Sequence, residues 1–356
     1  MKKKSCFILL LCGLLLSVSL ACKPAAAPPA QATTPPALQQ DASTPAPLLP
    51  ERTGLGVSTN VSSSASATDN DGKAQTDAMV AAVTVDSGGR ITDCRIDGIQ
   101  AVIGFSREGK LTTKLDASFP TKQERGADYG MGQVSSIGRE WNQQADALAA
   151  YVLGKTADEV RGIAVTGTNT PADADLAASC TISIGGYLET VAKAAEQAAD
   201  LGAVGGNKLG LGCITGFSES ADAVEKALGS AQADTVFAVV TLDSDGRVTS
   251  CVIDANSTKV TFDTAGQIAS SLTAAFPTKN EQRETYGMKE KSAIGKEWYE
   301  QAAAFADYCK GKNLAELNNI AMEPDGTASE EALKASVTIH IGDFIRVVTK
   351  AAENAS

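Results

Sequence analysis

The polar residues best suited to ligand binding lie in a segment that occurs twice, at 119–131 and at 276–288. Each copy carries a lysine, a glutamate and a tyrosine after a Phe-Pro-Thr triplet. A long loop of this composition between predicted elements is typical of a segment that covers a ligand. The alternative is that its apolar residues simply close one end of a sheet. The candidate binding residues are Lys122, Tyr129, Lys279 and Tyr286.

A second polar cluster, Ser-x-Thr-Ile, also occurs in both copies, just before a predicted helix. Its hydroxyl residues are Ser179 and Thr181 in the first copy, and Ser336 and Thr338 in the second. Free N–H groups and the positive end of a helix dipole at such a place favour a phosphate. The commoner use of this composition is a Ser/Thr turn that caps the helix.

Histidine-dependent catalysis is excluded as a property of both copies. His340 is the only histidine, and Ser183 occupies the equivalent position in the first copy. The chain has no G-x-S-x-G motif, and its glycine-rich stretches lack the third glycine of a dinucleotide fingerprint. No metal site is predicted, and a catalytic role has little support in the residue pattern.

The elements that position these clusters belong to a tandem repeat. Residues 77–198 align with 234–355 without a gap, and 53 of the 122 positions are identical. A weaker match, Gly54-Leu55-Gly56 against Gly210-Leu211-Gly212, precedes the alignment. We predict two domains, 51–207 and 208–356, each long enough to fold alone. They are referred to below as copy 1 and copy 2.

Each copy is predicted to have an α+β fold: an antiparallel sheet packed by a long amphipathic helix and a C-terminal helix. Paired strands are expected on either side of the turns at 86–89 and 243–246, with further short strands near 103–105 and 260–262. An apolar stripe then predicts a helix from Ile137 to Tyr151 and from Ile294 to Tyr308, with Trp141 and Trp298 as core anchors. A last strand-turn element at 178–184 and at 335–341 leads into the closing helix, 186–198 and 343–355.

The order of these features resembles the FMN-binding domain of flavin-bearing respiratory subunits and of Gram-positive surface lipoproteins that transfer electrons outside the cell. In that family a flavin transferase links FMN through its phosphate to the threonine of an S-G-A-T-x-S/T motif. Asp175, Thr181 and Ser183 stand where the family's Asp, Thr and Ser/Thr stand; in copy 2 only Thr338 does. Ser-Cys and Ser-Val replace the family's Gly-Ala. The resemblance implies FMN, covalent or non-covalent, with a flavin transferase and membrane redox partners.

The amino terminus predicts export and lipid anchoring. Three lysines precede an apolar run too short for a comfortable membrane span, and the run ends at Ser19-Leu20-Ala21-Cys22. This sequence resembles a bacterial lipobox. We therefore predict a signal peptide over 1–21 and lipidation of Cys22. Residues 22–50, rich in Pro and Ala, are expected to form a tether that holds the protein on the outer face of the cell membrane.

Composition narrows the partners further. The formal net charge is −11, and removal of the three signal-peptide lysines makes it more negative still, which argues against nucleic acid. Five cysteines remain outside the signal peptide and Cys22. Their odd number and spacing suit buried thiols better than a disulfide framework. They are Cys94, Cys180, Cys213, Cys251 and Cys309.

Three functions remain open on the sequence. The first is a cell-surface flavin carrier for extracellular electron transfer. The second is a non-redox module that binds another small ligand, and the third is a structural envelope lipoprotein without a cofactor. The electron donor and acceptor, any other ligand and the oligomeric state are not specified by the sequence.

Overall fold

The computed structural model describes residues 48–356, which form two antiparallel sheets. The signal peptide, Cys22 and most of the tether lie outside the described residues. The first sheet has the order β3-β2-β1-β4 and the second the order β5-β6-β7. The strands are β1 (Pro50–Asn60), β2 (Gly72–Val85), β3 (Ile91–Phe105), β4 (Ala199–Val204), β5 (Lys208–Gly216), β6 (Gly229–Leu242) and β7 (Val248–Phe262).

Helices cover one face of each sheet. In copy 1, α2 packs on β3 while α5 packs on β1 and β2; in copy 2, α7 packs on β7 while α10 packs on β5 and β6. The helices are α1 (Lys122–Arg125), α2 (Trp141–Tyr151), α3 (Ala157–Arg161), α4 (Ala174–Ala177), α5 (Gly185–Glu196), α6 (Lys279–Gln282), α7 (Trp298–Cys309), α8 (Leu314–Asn318), α9 (Glu331–Lys334) and α10 (Gly342–Glu353). None of these helices is long and apolar enough to cross a membrane.

The mixed α and β composition with antiparallel sheets agrees with the predicted α+β class. The hairpin turns, the amphipathic helix, the closing helix and the buried Trp141 and Trp298 are confirmed. The short strands near 103 and 260 are the ends of the 15-residue strands β3 and β7. The amphipathic helix begins at the tryptophan rather than at Ile137 or Ile294.

Of the strand-turn element predicted at 178–184 and at 335–341, the strand is wrong and the turn is present. The alternating buried residues of this segment belong to a turn that follows α4 or α9. The Cys180 N–H donates to Leu176 O at 2.8 Å and the Val337 N–H donates to Leu333 O at 2.8 Å, so these groups complete helical turns. An alternating burial pattern does not make a strand unless the backbone also bonds to a neighbouring strand.

The repeated Gly-Leu-Gly lies in β1 and β5, two strands absent from the sequence prediction. A Cβ on Gly54 would lie 2.0 Å from the carbonyl oxygen of Ala194 in α5, and one on Gly210 would lie 2.0 Å from that of Ala351 in α10. The glycines therefore let the closing helix lie directly on the strand backbone. They serve packing rather than phosphate binding.

A third hydrophobic cluster joins the inner faces of the two sheets. Along β2, Ala81 and Val83 face the helices of copy 1, whereas Val80 and Ala82 face the strands of copy 2. Phe105 and Phe262 stack at the junction with ring centroids 4.2 Å apart. The molecule thus has four layers, helices outside and sheets inside. Residues of both copies build this central core, a feature that the prediction of two independently folding domains did not include.

Candidate functional site

A buried glutamine organises the predicted Ser/Thr cluster in each copy. Gln144 in α2 is fully buried, and its Oε1 accepts from the Thr181 N–H at 2.7 Å and from the Thr181 hydroxyl at 3.1 Å. Its Nε2 donates to Ser135 Oγ at 3.2 Å and to Arg139 O at 2.9 Å. The side chain therefore ties the helix to the loop before it and to the threonine turn.

Copy 2 repeats this network. Gln301 accepts from the Thr338 N–H at 2.9 Å and from its hydroxyl at 3.3 Å, and donates to Ser292 Oγ at 3.2 Å. Sequence reasoning missed both glutamines. The available signal was a glutamine at the same place in two copies, beside the apolar stripe of a helix.

The remaining residues of the predicted phosphate site have different surroundings. The Ser179 hydroxyl donates to Leu176 O at 3.1 Å and the Ser336 hydroxyl to Leu333 O at 3.2 Å, so each closes a local turn. Asp175, in α4, and Ser183 are exposed. The closing helix begins two residues beyond Ser183, at Gly185.

In copy 2 the structure brings the two predicted clusters together. A cleft of about 580 Å³ has Tyr286 on the loop side and Thr338 with Gln301 on the other. This volume falls within the usual range for small-molecule sites, about 300–1,000 Å³. The full lining is Tyr286, Gly287, Met288, Lys291, Ser292, Ala293, Gln301, Thr338 and Ile339.

Seven of these nine positions carry the same residue type in copy 1. The exceptions are Lys291, which is Val134 in copy 1, and Ala293, which is Ser136. Val134 is 84% exposed. Copy 2 therefore has a positive charge in the lining of its cleft where copy 1 has an exposed valine.

The two candidate lysines of the loops lie over aromatic rings. Lys122 Nζ is 5.1 Å from the Tyr129 ring centroid and 5.4 Å from that of Trp141. Lys279 repeats the arrangement, 5.0 Å from Tyr286 and 4.9 Å from Trp298. The cation–π contacts give both lysines a role in holding the loop on the amphipathic helix. Lys279 is not among the residues that line the cleft.

A buried carboxyl anchors the start of each loop to its sheet. Asp97 Oδ1 accepts from the Gly98 N–H at 2.7 Å and from the Gln123 N–H at 3.1 Å, and Asp254 does the same for Ala255 and Asn280. Burial raises the pKa of each carboxyl to about 6, against the opposing effect of these hydrogen bonds.

The loop of copy 2 contains a strained residue. Arg283 ends α6 with φ 47° and ψ −120°, a conformation that favours glycine. At the same place copy 1 has Gly126, with φ 46° and ψ −121°. Contacts of the Arg283 side chain offset part of the strain, since its guanidinium lies 4.5 Å from the Tyr299 ring centroid. Strain of this kind is concentrated at functional sites.

The five cysteines are buried free thiols, as predicted. Burial raises the pKa of Cys94 well above the ordinary thiol value and that of Cys180 to about 11. The pKa of Cys251 is also raised, first by its interaction with Cys309 and then by burial. Within residues 48–356, no group of three or more His, Cys, Asp or Glu side chains is placed to hold a metal ion.

Comparison with known proteins gives one short similarity. A stretch of 44 residues is 45% identical to a protein named chlorophenol reductase from Desulfitobacterium hafniense. It covers 12% of this chain and 14% of that protein. No family model matches the chain, and no solved structure shows a significant match.

Proposed function

We propose that the chain is a lipid-anchored surface protein that binds FMN in the cleft of copy 2 and carries electrons on the outer face of the membrane. The observation that carries the proposal is the cleft itself, which unites Tyr286, Lys291 and Thr338 in one concave surface. Both predicted polar clusters contribute to it.

The chemistry of the lining suits a phosphate-bearing aromatic ligand. Met288 and Ile339 offer apolar surface to a flat ring, and Tyr286, 36% exposed, adds an aromatic side chain to the lining. Lys291 supplies the charge that a phosphate needs. In such a carrier the flavin performs the redox chemistry, while the protein provides binding and electrostatics. The match to a protein named as a reductase is in keeping with a redox role.

The bonding of the threonines favours non-covalent over covalent flavin. Thr181 and Thr338 both donate their hydroxyl hydrogens to a buried glutamine, so a phosphoester at either would break an existing hydrogen bond. The resemblance makes Thr181 the better acceptor, because Asp175 and Ser183 flank it. A single FMN mass added on coexpression with a flavin transferase, and lost in Thr181→Val but not in Thr338→Val, would establish covalent attachment.

Titration of FMN into the mature protein, followed by quenching of flavin fluorescence, tests the non-covalent site. We expect Lys291→Val, which gives copy 2 the residue type of copy 1, to weaken binding about tenfold. Val134→Lys gives copy 1 the same charge at the equivalent position and should allow some FMN binding there. The matched control is Lys226→Val, at an exposed lysine outside the cleft, which should leave affinity unchanged.

A second candidate function is binding of a non-redox small anion in the same cleft. The same lining residues favour it, because a lysine beside a polar wall does not require a flavin ring. Competition of FMN by inorganic phosphate, with no flavin in protein purified from its native host, would support this candidate. If neither FMN nor phosphate binds, the structural envelope role becomes the better interpretation.

A further inference from the structure

The glutamates that begin the two loops each make two different attachments. Glu124 Oε2 accepts from the Thr121 N–H at 2.7 Å, and Glu281 Oε2 accepts from the Thr278 N–H at 2.9 Å, which completes a capping box on α1 and on α6. In both glutamates the other carboxylate oxygen, Oε1, is left to bind elsewhere.

In both copies that oxygen pairs with a lysine from the closing helix of the other copy. Lys350 Nζ, on α10, lies 2.7 Å from Glu124 Oε1. Lys193, on α5, forms the reciprocal ion pair with Glu281. The loop of each copy is therefore attached to the opposite half of the molecule.

Each lysine is also held by a hydrogen bond to the backbone of its own copy. Lys193 Nζ donates to Val57 O at 2.6 Å, and Lys350 Nζ donates to Cys213 O at 2.7 Å. Both side chains are half-buried, 28% and 23% exposed. An ion pair that is half-buried and already positioned contributes more than a pair of mobile surface charges.

The attachment of Glu281 lies close in sequence to the cleft of copy 2. From α6 the chain passes through the single turn Arg283–Tyr286 and then supplies Tyr286, Gly287 and Met288 to the lining. The start of this segment is held by Asp254 of its own copy, through the Asn280 N–H, and by Lys193 of copy 1.

We propose that Lys193 is a positioning residue for the copy 2 cleft, so that copy 1 sets the affinity of copy 2 for its ligand through the Lys193–Glu281 ion pair. The inference rests on the proposed function for its ligand. The ion pair restrains the first turn of the loop, and with it the wall that carries Tyr286.

Hydrogen exchange on the mature protein without ligand tests the restraint. Lys193→Met keeps the length of the side chain and removes its charge, and should speed exchange in the segment 278–288. The matched variant Lys350→Met should speed exchange in 121–131 instead. Lys193→Arg should restore the wild-type pattern. Unchanged exchange at 278–288 in Lys193→Met, with or without ligand binding in the wild type, would overturn the proposal.

Titration of FMN then tests the effect on the cleft. Lys193→Met should weaken FMN binding about five- to tenfold, while Lys350→Met should leave it unchanged. In a Glu281→Gln background, which keeps the cap and removes the charge, Lys193→Met should have little further effect. Faster exchange with unaltered FMN affinity would overturn the positioning role. Absence of FMN binding by the wild type would count against the proposed function, and exchange would still decide the restraint.

Discussion

The contact between sheet and closing helix is built differently in the two copies, yet it fills the same space. In copy 1 the Tyr187 hydroxyl lies above Gly98, where an added Cβ would be 2.8 Å from the hydroxyl oxygen. Copy 2 has Ala255 and Phe344 at these places, so a methyl group appears where the hydroxyl is lost. Volume is conserved in the core even where residues change.

The loops behave in the opposite way. Lys291 replaces Val134, and Arg283 replaces Gly126. The second replacement introduces backbone strain, and copy 2 has Tyr299 beneath the Arg283 guanidinium where copy 1 has Asn142. The two copies therefore have the same core packing and differ in the residues that their loops expose. This difference is the reason to assign the ligand to copy 2.

The largest test of the shared frame is to separate the copies. Chains 48–207 and 208–356 would each expose the inner sheet face that the other now covers, including Phe105 or Phe262. We expect neither half to show a cooperative melt alone and both to bind a hydrophobic dye, with recovery on mixing. Two halves that melt cooperatively as monomers would show that each copy has a sufficient core without the central cluster.

Asp97 and Asp254 should give the same pH dependence in both copies. A carboxyl with a pKa of about 6 when folded, against an ordinary value of 3.8, keeps its proton longer in the native state. The free energy of unfolding should therefore fall as pH rises from about 4 to about 6, and be level above. In Asp97→Asn the decrease in the free energy of unfolding between these pH values should be smaller by about 2–3 kcal/mol, as measured by urea unfolding at a series of pH values. An unchanged slope in Asp97→Asn would contradict the raised pKa.

The Gly98–Tyr187 exchange can be reproduced within copy 1. Gly98→Ala should destabilise the protein by about 1–3 kcal/mol because its methyl group overlaps the Tyr187 hydroxyl. The double variant with Tyr187→Phe should recover most of that loss, since it copies the pair Ala255 and Phe344. Equal losses in the single and double variants, measured by chemical denaturation, would mean that the two positions are not coupled.

The smallest expected effect concerns the strained loop. Arg283→Gly should stabilise copy 2 by about 1 kcal/mol, and Gly126→Ala should destabilise copy 1 by a similar amount. Thermal melts measure both. If the strain serves the cleft, Arg283→Gly should also weaken FMN binding while it raises the melting temperature. A variant that gains stability and keeps its affinity would remove the link between strain and function.

The elements that the sequence predicts correctly are those whose signals lie in neighbouring residues. The hairpins around 86–89 and 243–246 and the helices at Trp141 and Trp298 depend on nearby residues, so their patterns were sufficient. The pattern does not predict strands β1 and β5, because glycine lowers strand propensity. These glycines are needed only where the closing helix, far along the chain, packs on the strand backbone. The turn after α4 has the alternating apolar pattern of a strand. Its backbone groups nevertheless bond to α4 and to Gln144 in α2 rather than to a neighbouring strand.

The candidate site was predicted in parts rather than as a whole. Tyr286 and Thr338 were singled out, but their meeting in one cleft depends on Gln301, whose buried amide is unusual on an apolar helix face. The Lys193–Glu281 ion pair could not be inferred at all, because it joins copies whose relative placement the sequence does not specify.

The stacked rings of Phe105 and Phe262 reveal the symmetry of the contact between the two copies. These two residues are equivalent in the repeat, so each meets its own counterpart, and Lys193–Glu281 and Lys350–Glu124 are exchanged in the same way. Self-matching contacts of this kind define the isologous interface of a two-fold homodimer. The tandem chain therefore contains, within one polypeptide, the pseudo-two-fold arrangement of a symmetric dimer. Because one chain encodes both halves, equivalent positions can carry different residues, as Lys291 and Val134 do.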